Sequence, residues 1–406
     1  MESGASNSCT TKGGKYPGIK DGSWFTQFRY GSNPWMARYV YGFIFLVTNF
    51  LAWVVRDYGQ DAIKLLGMKQ PGRFKECHGG RDCSGTIGVL RVSLGCFMFF
   101  MAMFISTVGT SKVYDRRDTW HSGWWFAKAS MFVGFMLLSF LFPPSFVYFY
   151  GEIAHFGAGI FLLIQLVSVI TFITWLNDCF QTDKTAETCR VYVTIVASAS
   201  YFICIVGVIL MYLWYAPDTS CILNIFFITW TIVLLQLMTS VALQPKINKG
   251  FLTPGIMGLY IVFLCWCAIR SEPPGTSCNR KAEASKRTDW LTLISFIVAL
   301  LTIVFATFST GIDSKCFQFL KKETEEEEDV PYGYGFFHLV FATGAMYFAM
   351  LLVGWNSHHH MQKWTIDVGW TSTWVRIVNE WLAACVYIWM LVAPVILKNR
   401  QVSEIP

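Results

Sequence analysis

Residues 146–178 read FVYFYGEIAHFGAGIFLLIQLVSVITFITWLND, 33 positions without a proline and with formal charge only at Glu152 and Asp178. As one helix rising 1.5 Å per residue, the stretch measures about 50 Å against a hydrocarbon core of about 30 Å. Such a helix crosses a bilayer steeply tilted or runs on beyond it. Pro143 and Pro144 stand just before it and close the preceding apolar run in a short turn, so the two runs form a tight hairpin. An oblique helix through the middle of a multispanning protein parts the remaining helices into two groups. The crevice between them is a place for lipid or substrate.

Outward from this stretch, apolar runs lie at about 36–55, 86–108, 122–142, 190–214, 222–241, 252–269, 290–309, 335–354 and 374–397. Together they make ten expected spans. They do not alternate as β-barrel strands do. Across the 406 residues, 54% are hydrophobic and 14% charged, and mean hydropathy is +0.44; a water-covered domain carries about 25% charged residues. The expected fold is all-α: a polytopic membrane protein of about ten transmembrane helices, two helical bundles joined by a long diagonal helix. Trp35, Trp120, Trp124, Trp214, Trp290, Trp355 and Trp374 crowd the span ends as an interfacial belt does.

An even count puts both termini on one side. With the N-terminus cytosolic, sixteen loop Lys and Arg residues face the cytosol and eleven the other side, the direction the positive-inside rule favours. The expected organisation is a cytosolic segment 1–35, a membrane domain 36–397 with the diagonal helix at about 146–178, an acidic cytosolic loop 310–334 and a cytosolic tail 398–406. The loop carries Lys321 to Asp329, a charge block of a kind that is normally solvated. Met1 to Gly22 is polar and residue 2 is Glu, so neither a cleavable signal nor a myristoyl anchor is expected. The net charge of +6 is too diffuse for nucleic acid.

On this topology Cys77, Cys83, Cys221 and Cys278 share the oxidising face, where disulfides persist. Cys77–Cys83 and Cys221–Cys278 are the expected bridges, although four cysteines allow three pairings and the sequence does not choose among them.

Ionisable groups inside spans are expensive and mark function by default. The candidates are Arg91, Lys128, Glu152, His155 and Glu380. Arg91, Glu152 and Glu380 lie about six residues, or about 9 Å, from the outer ends of their spans. His155 is one turn below Glu152 on the same helix face, and Lys128 enters to a similar depth from the cytosolic side. These five are expected to line a polar groove for lipid headgroups, cations meeting phosphate and acids meeting an amine. The competing structural reading pairs Arg91 with Glu152 to hold helices together and lets Lys128 snorkel. The small-residue patch Gly157-Ala158-Gly159 reads as close helix packing.

No catalytic chemistry is expected. Walker, GxSxG and HExxH patterns are missing from the sequence. His358-His359-His360 has no ligand partner at metal spacing and reads as a solvated loop. No metal or other cofactor is expected, and the chain is not expected to be an enzyme.

Taken in order and spacing, a series of short motifs resembles the serine incorporator family, in a plant-type member. They include Arg38-Tyr39-Val40-Tyr41, Thr110-Ser111-Lys112, Trp125-Phe126-Ala127-Lys128, Phe161-Leu162-Leu163-Ile164-Gln165 and Ala216-Pro217-Asp218-Thr219-Ser220-Cys221. Further along come Gln244-Pro245-Lys246-Ile247, Ser271-Glu272-Pro273-Pro274, Tyr332 through Leu339, and Leu391-Val392-Ala393-Pro394. The resemblance covers nearly all of 36–397. It implies two helical bundles joined by a long diagonal helix, and a lipid-handling function. That function is support of phosphatidylserine and sphingolipid biosynthesis, by ATP-independent scrambling with membrane phospholipids as partners. Alternatives are a serine or amino-acid transporter, or a scaffold presenting serine or lipid to serine-using lipid synthases. A homo-oligomer and a place in the endomembrane system (ER or Golgi) or plasma membrane are also expected. Arg91, Lys128 and the Cys221 and Cys278 loops match family positions. Thr171 and Thr174 stand where animal relatives tend to carry Asp and His, so a headgroup role for that pair does not transfer. Glu152 is not a family residue, and its reading rests on depth alone.

Overall fold

The computed structural model describes residues 34–65, 81–110, 112, 115–182, 187–273, 278, 297, 301, 307, 330, 332–355 and 366–403. Their regular elements are α-helices: α1 Pro34–Leu65, α2 Arg81–Thr107, α3 Arg116–Ser122, α4 Trp125–Leu141, α5 Pro144–Thr182, α6 Glu187–Tyr215, α7 Ile222–Ala242, α8 Leu252–Arg270, α9 Tyr334–Val353 and α10 Trp370–Ser403. Eight of these are long and apolar enough to cross a membrane, and α3 with α4, bent by 69° at a short break, makes a ninth. Nine of the ten expected spans are thus accounted for. The span expected at 290–309 lies outside the described residues apart from Ile297, Leu301 and Thr307, as do the acidic loop from 310 to 329, His358-His359-His360, and Cys77.

The expected span 122–142 is interrupted. Asp115 caps α3, accepting a hydrogen bond from the Arg117 backbone N–H. The chain then turns at Gly123 and at Trp124, whose φ of 57° is left-handed, before α4 begins. The break lays α3 across the end of the bundle, and this places His121 inside it.

α5 is 39 residues long and belongs to both halves of the molecule. Val147, Tyr150, Ala154, Ala158, Phe161 and Ile164 pack into a core with α1, α2 and α9. Leu166, Ile170 and Ile173 pack instead with Leu234 and Met238 of α7, Met257 and Ile261 of α8, and Ala383, Ala384 and Tyr387 of α10. At 100° per residue the two buried stripes are rotated by about 135° around the helix axis. That rotation lets one helix present different faces to two bundles. The first bundle is α1–α4 and α9 with the beginning of α5; the second is α6–α8 and α10 with its end.

α9 is buried along nearly its whole length, which makes it the central helix of the first bundle. Its approach to α5 is close: a methyl added at Gly157 collides with the Met346 side chain, whereas one at Gly159 meets nothing. Of the small patch, Gly157 is the packing residue. α6 is mostly exposed along its apolar length and lies at the rim of the second bundle.

Candidate functional site

The first half of α5 turns Phe149, Ile153, Phe156, Ile160 and Leu163 outward. Among them Glu152 is exposed, eight residues and so about 12 Å along the helix from Pro144. One turn on, His155 is half-buried. Its Nδ1 faces the Gly151 carbonyl at 2.9 Å and its Nε2 the Trp355 carbonyl at 3.2 Å. Trp355, left-handed at φ 58°, donates its indole N–H to Asp367 at 3.2 Å. Asp367 also binds Arg376 of α10, and its backbone N–H reaches the Leu351 carbonyl at the end of α9. A polar line therefore runs Glu152, His155, Trp355, Asp367, Arg376, from α5 past the end of α9 to the start of α10. From α1, Arg56 donates to the Leu352 carbonyl at 2.9 Å while paired with Asp57.

The other three expected groove residues go elsewhere. Arg91 is buried in α2, its Nη1 donating to the carbonyls of Ser139 at 3.0 Å and Phe140 at 2.7 Å. These belong to the last turn of α4, whose carbonyls lack intrahelical partners and where the helix dipole favours a cation. Arg91 thus caps the helix that leads into the α4–α5 hairpin. Glu380 is fully buried in the second bundle, bonded to Thr231 of α7 at 2.8 Å. It is not opposite Arg91, because the rotation of α10 turns it toward α7.

Lys128 neither snorkels nor lines a groove, being 1% exposed. Its ammonium donates to the His121 carbonyl at 2.8 Å and sits 4.3 Å from the Trp125 ring, 5.3 Å from Tyr41 and 5.4 Å from Trp120. The same carbonyl accepts the Tyr41 hydroxyl at 3.0 Å. The His121 ring stacks on Tyr334 at 3.9 Å, and Tyr334 donates to Asp118 at 2.7 Å.

Hydrogen inventory orders the remaining bonds. The Tyr332 hydroxyl donates to the Pro34 carbonyl, so at His121 Nε2, 3.0 Å away, it accepts. His121 Nδ1 is then the acceptor from His338 Nε2, also at 3.0 Å. Both imidazoles are neutral in this scheme, as suits rings beside a buried ammonium. The network ties α1, α3, α4 and α9 at one end of the first bundle, and its side chains are buried.

At the opposite end, Cys221 and Cys278 form a disulfide that fastens the start of α7 to the segment following α8. Sequence reading left this pairing open. Side-chain placement at Cys83, like the whole of Cys77, lies outside the described residues. Among the described residues no three His, Cys, Asp or Glu side chains group to hold a metal ion.

The family model for serine incorporators matches residues 23–324 and 313–400, nearly the whole chain. The chain belongs to the serine incorporator family. It is similar to serine incorporator 3 of Mus musculus, 26% identical over 442 aligned positions covering 91% of this chain and 93% of the mouse protein. It is similar also to a probable serine incorporator of Nematostella vectensis, 25% identical over 80% of this chain and 83% of the other. A third relative, from Dictyostelium discoideum, is 26% identical over 89% and 94%.

Reading by span and charge missed His121, His338, Tyr332 and the Asp367–Arg376 pair. His338 lies within an expected span, and its ionisable ring was the available signal. His121 falls one residue outside its run, and Arg376 is three residues into the last one, where a cation passes for an interfacial anchor.

Proposed function

We propose that this serine incorporator family member passes phospholipids between leaflets without an energy source, headgroups tracking the outward side of α5 while the tails stay in the bilayer. The observation behind this is Glu152: an exposed carboxylate on a membrane-crossing helix, set among exposed Phe149, Ile153 and Phe156. A charge at the centre of a membrane helix costs about 2.5–3.5 kcal/mol on insertion scales, and one nearer the interface costs less, unless water or a polar headgroup reaches it. A carboxylate favours the ammonium of an amine-bearing headgroup. His155, half-buried beside it, extends the polar surface toward Trp355 and the second bundle. The name of the relatives, serine incorporator, fits a serine-derived lipid as cargo. With both termini cytosolic, as the Lys and Arg distribution favours, Glu152 serves the leaflet away from the cytosol.

The test is reconstitution with a fluorescent phosphatidylserine and a membrane-impermeant quencher. Vesicles holding the protein should expose inner-leaflet probe far faster than empty ones. Glu152→Leu should slow this about tenfold, the effect of about 1.4 kcal/mol in the barrier. Flip rates equal to those of empty vesicles would overturn the reading.

A further inference from the structure

Glu380 is a fully buried acid that the lipid surface does not use. The Thr231 hydroxyl from α7 is bonded to it, and the Cys265 thiol from α8 lies close by, bonded to Thr231. α5 brings Leu166, Ile170 and Ile173 to this bundle. On α10 itself, Arg376 one turn away is held by Asp367, and Tyr387 lies two turns in the other direction. Tyr260 of α8 turns to Asn379.

Hydrogens decide the state of the acid. Thr231 Oγ1 lies 2.9 Å from the Phe227 carbonyl and 2.8 Å from Glu380 Oε1, and one hydroxyl hydrogen cannot serve both acceptors. If it goes to Phe227, the hydrogen between Thr231 and Glu380 belongs to the carboxyl group. The other oxygen, Glu380 Oε2, is buried with no partner among the described residues. That suits the carbonyl oxygen of a neutral acid and not half of an anion, which seeks about four hydrogen bonds. One carboxyl and one hydroxyl also offer too few oxygens for a metal cation.

A second set of buried polar atoms lies toward the disulfide end. Asn224 is seven residues before Thr231 on the same face of α7, about 10 Å along the helix. It donates to the Tyr215 carbonyl at 2.9 Å and to Glu272 at 3.4 Å. Asn224 Oδ1 and Glu272 Oε1 are both buried with no partner among the described residues.

We propose that Glu380 is a proton-binding site within the second bundle, occupied in this arrangement and loaded from the Asn224–Glu272 end. Release moves the proton from the Glu380 carboxyl to water at the Asn224–Glu272 end, leaving a carboxylate held by Thr231. The assignment is independent of lipid movement.

Infrared spectroscopy of the full chain in lipid tests it. At neutral pH the protein should show a carboxylic-acid carbonyl band above the amide I region that is lost in Glu380→Gln and kept in Glu272→Gln. Thr231→Val should shift that band by removing its hydrogen-bond partner, a readout that serves if Glu380→Gln folds poorly. Transfer to heavy water should shift the band at least tenfold more slowly in Asn224→Leu. A wild-type spectrum without an acid band that responds to either Glu380→Gln or Thr231→Val overturns the site, and an unchanged exchange rate in Asn224→Leu overturns the route.

Discussion

The Lys128 ammonium donates to the carbonyl of His121, seven residues earlier and on the other side of a helix break. Because Trp120, Trp125 and Tyr41 surround it, the charge is stabilised by ring faces and one carbonyl in place of water. Removing it should therefore harm the fold and leave lipid handling per folded molecule intact. Lys128→Ala leaves a cavity among the rings and should cost about 2–4 kcal/mol. Lys128→Arg should also destabilise, since a planar guanidinium does not fit a nest built for a compact ammonium. The check is thermal unfolding of the purified protein beside flip rate per folded molecule; a large loss of rate at unchanged stability would contradict the structural role.

Arg91 makes a second case of a charge spent on helix architecture. Arg91→Ala deprives the Ser139 and Phe140 carbonyls of their donor; hydrogen bonds to charged groups contribute about 1.5–3 kcal/mol. Arg91→Lys should recover part of that, as one ammonium can reach one carbonyl. Unfolding temperatures ranked wild type, Lys, Ala are expected; an Ala variant as stable as wild type would remove Arg91 from the hairpin's support.

The contrast between these residues and Glu152 shows what the sequence can carry. Spans were legible because hydrocarbon demands long apolar runs, and the diagonal helix because 33 residues exceed one crossing. Depth of a charged residue is also legible, being a count from the span end. Rotation about the helix axis is not. Arg91, Lys128 and Glu152 read alike by depth, yet the first two turn inward and the third outward. Partners distant in the chain were equally hidden: His121 and His338 are 217 residues apart. The break at Gly123 and Trp124 that brings His121 into the bundle left no gap in the apolar run.

The Asp367–Arg376 pair joins the end of the first bundle to the start of α10, with side-chain exposures of 5% and 23%. Breaking a pair this sheltered leaves a charge without compensation. Arg376→Ala should cost on the order of 3 kcal/mol. Asp367→Asn with Arg376→Gln should cost less than the two single changes together, because the residues touch. A double-mutant cycle on unfolding temperature measures the coupling, and additivity would show that the pair does not hold the bundles together.

Glu272 gives the fold a pH dependence whose sign can be worked out. Burial pushes its carboxyl above the ordinary carboxylate range, and the hydrogen bond from Asn224 pulls it part of the way back. An acid whose affinity for protons is raised by folding holds more protons in the native state than in the unfolded one. Stability then declines as pH rises from the ordinary carboxylate value through the raised one, and levels off above it. The wild-type unfolding temperature should fall across that window relative to Glu272→Gln, whose side chain stays neutral throughout. Above the raised value the Gln variant should be at least as stable as wild type, since it removes a buried anion and keeps a partner for Asn224. Parallel curves for the two proteins would mean that Glu272 is solvated as an ordinary surface acid, and a wild-type curve that rises with pH relative to Glu272→Gln would mean that folding lowers its affinity for protons.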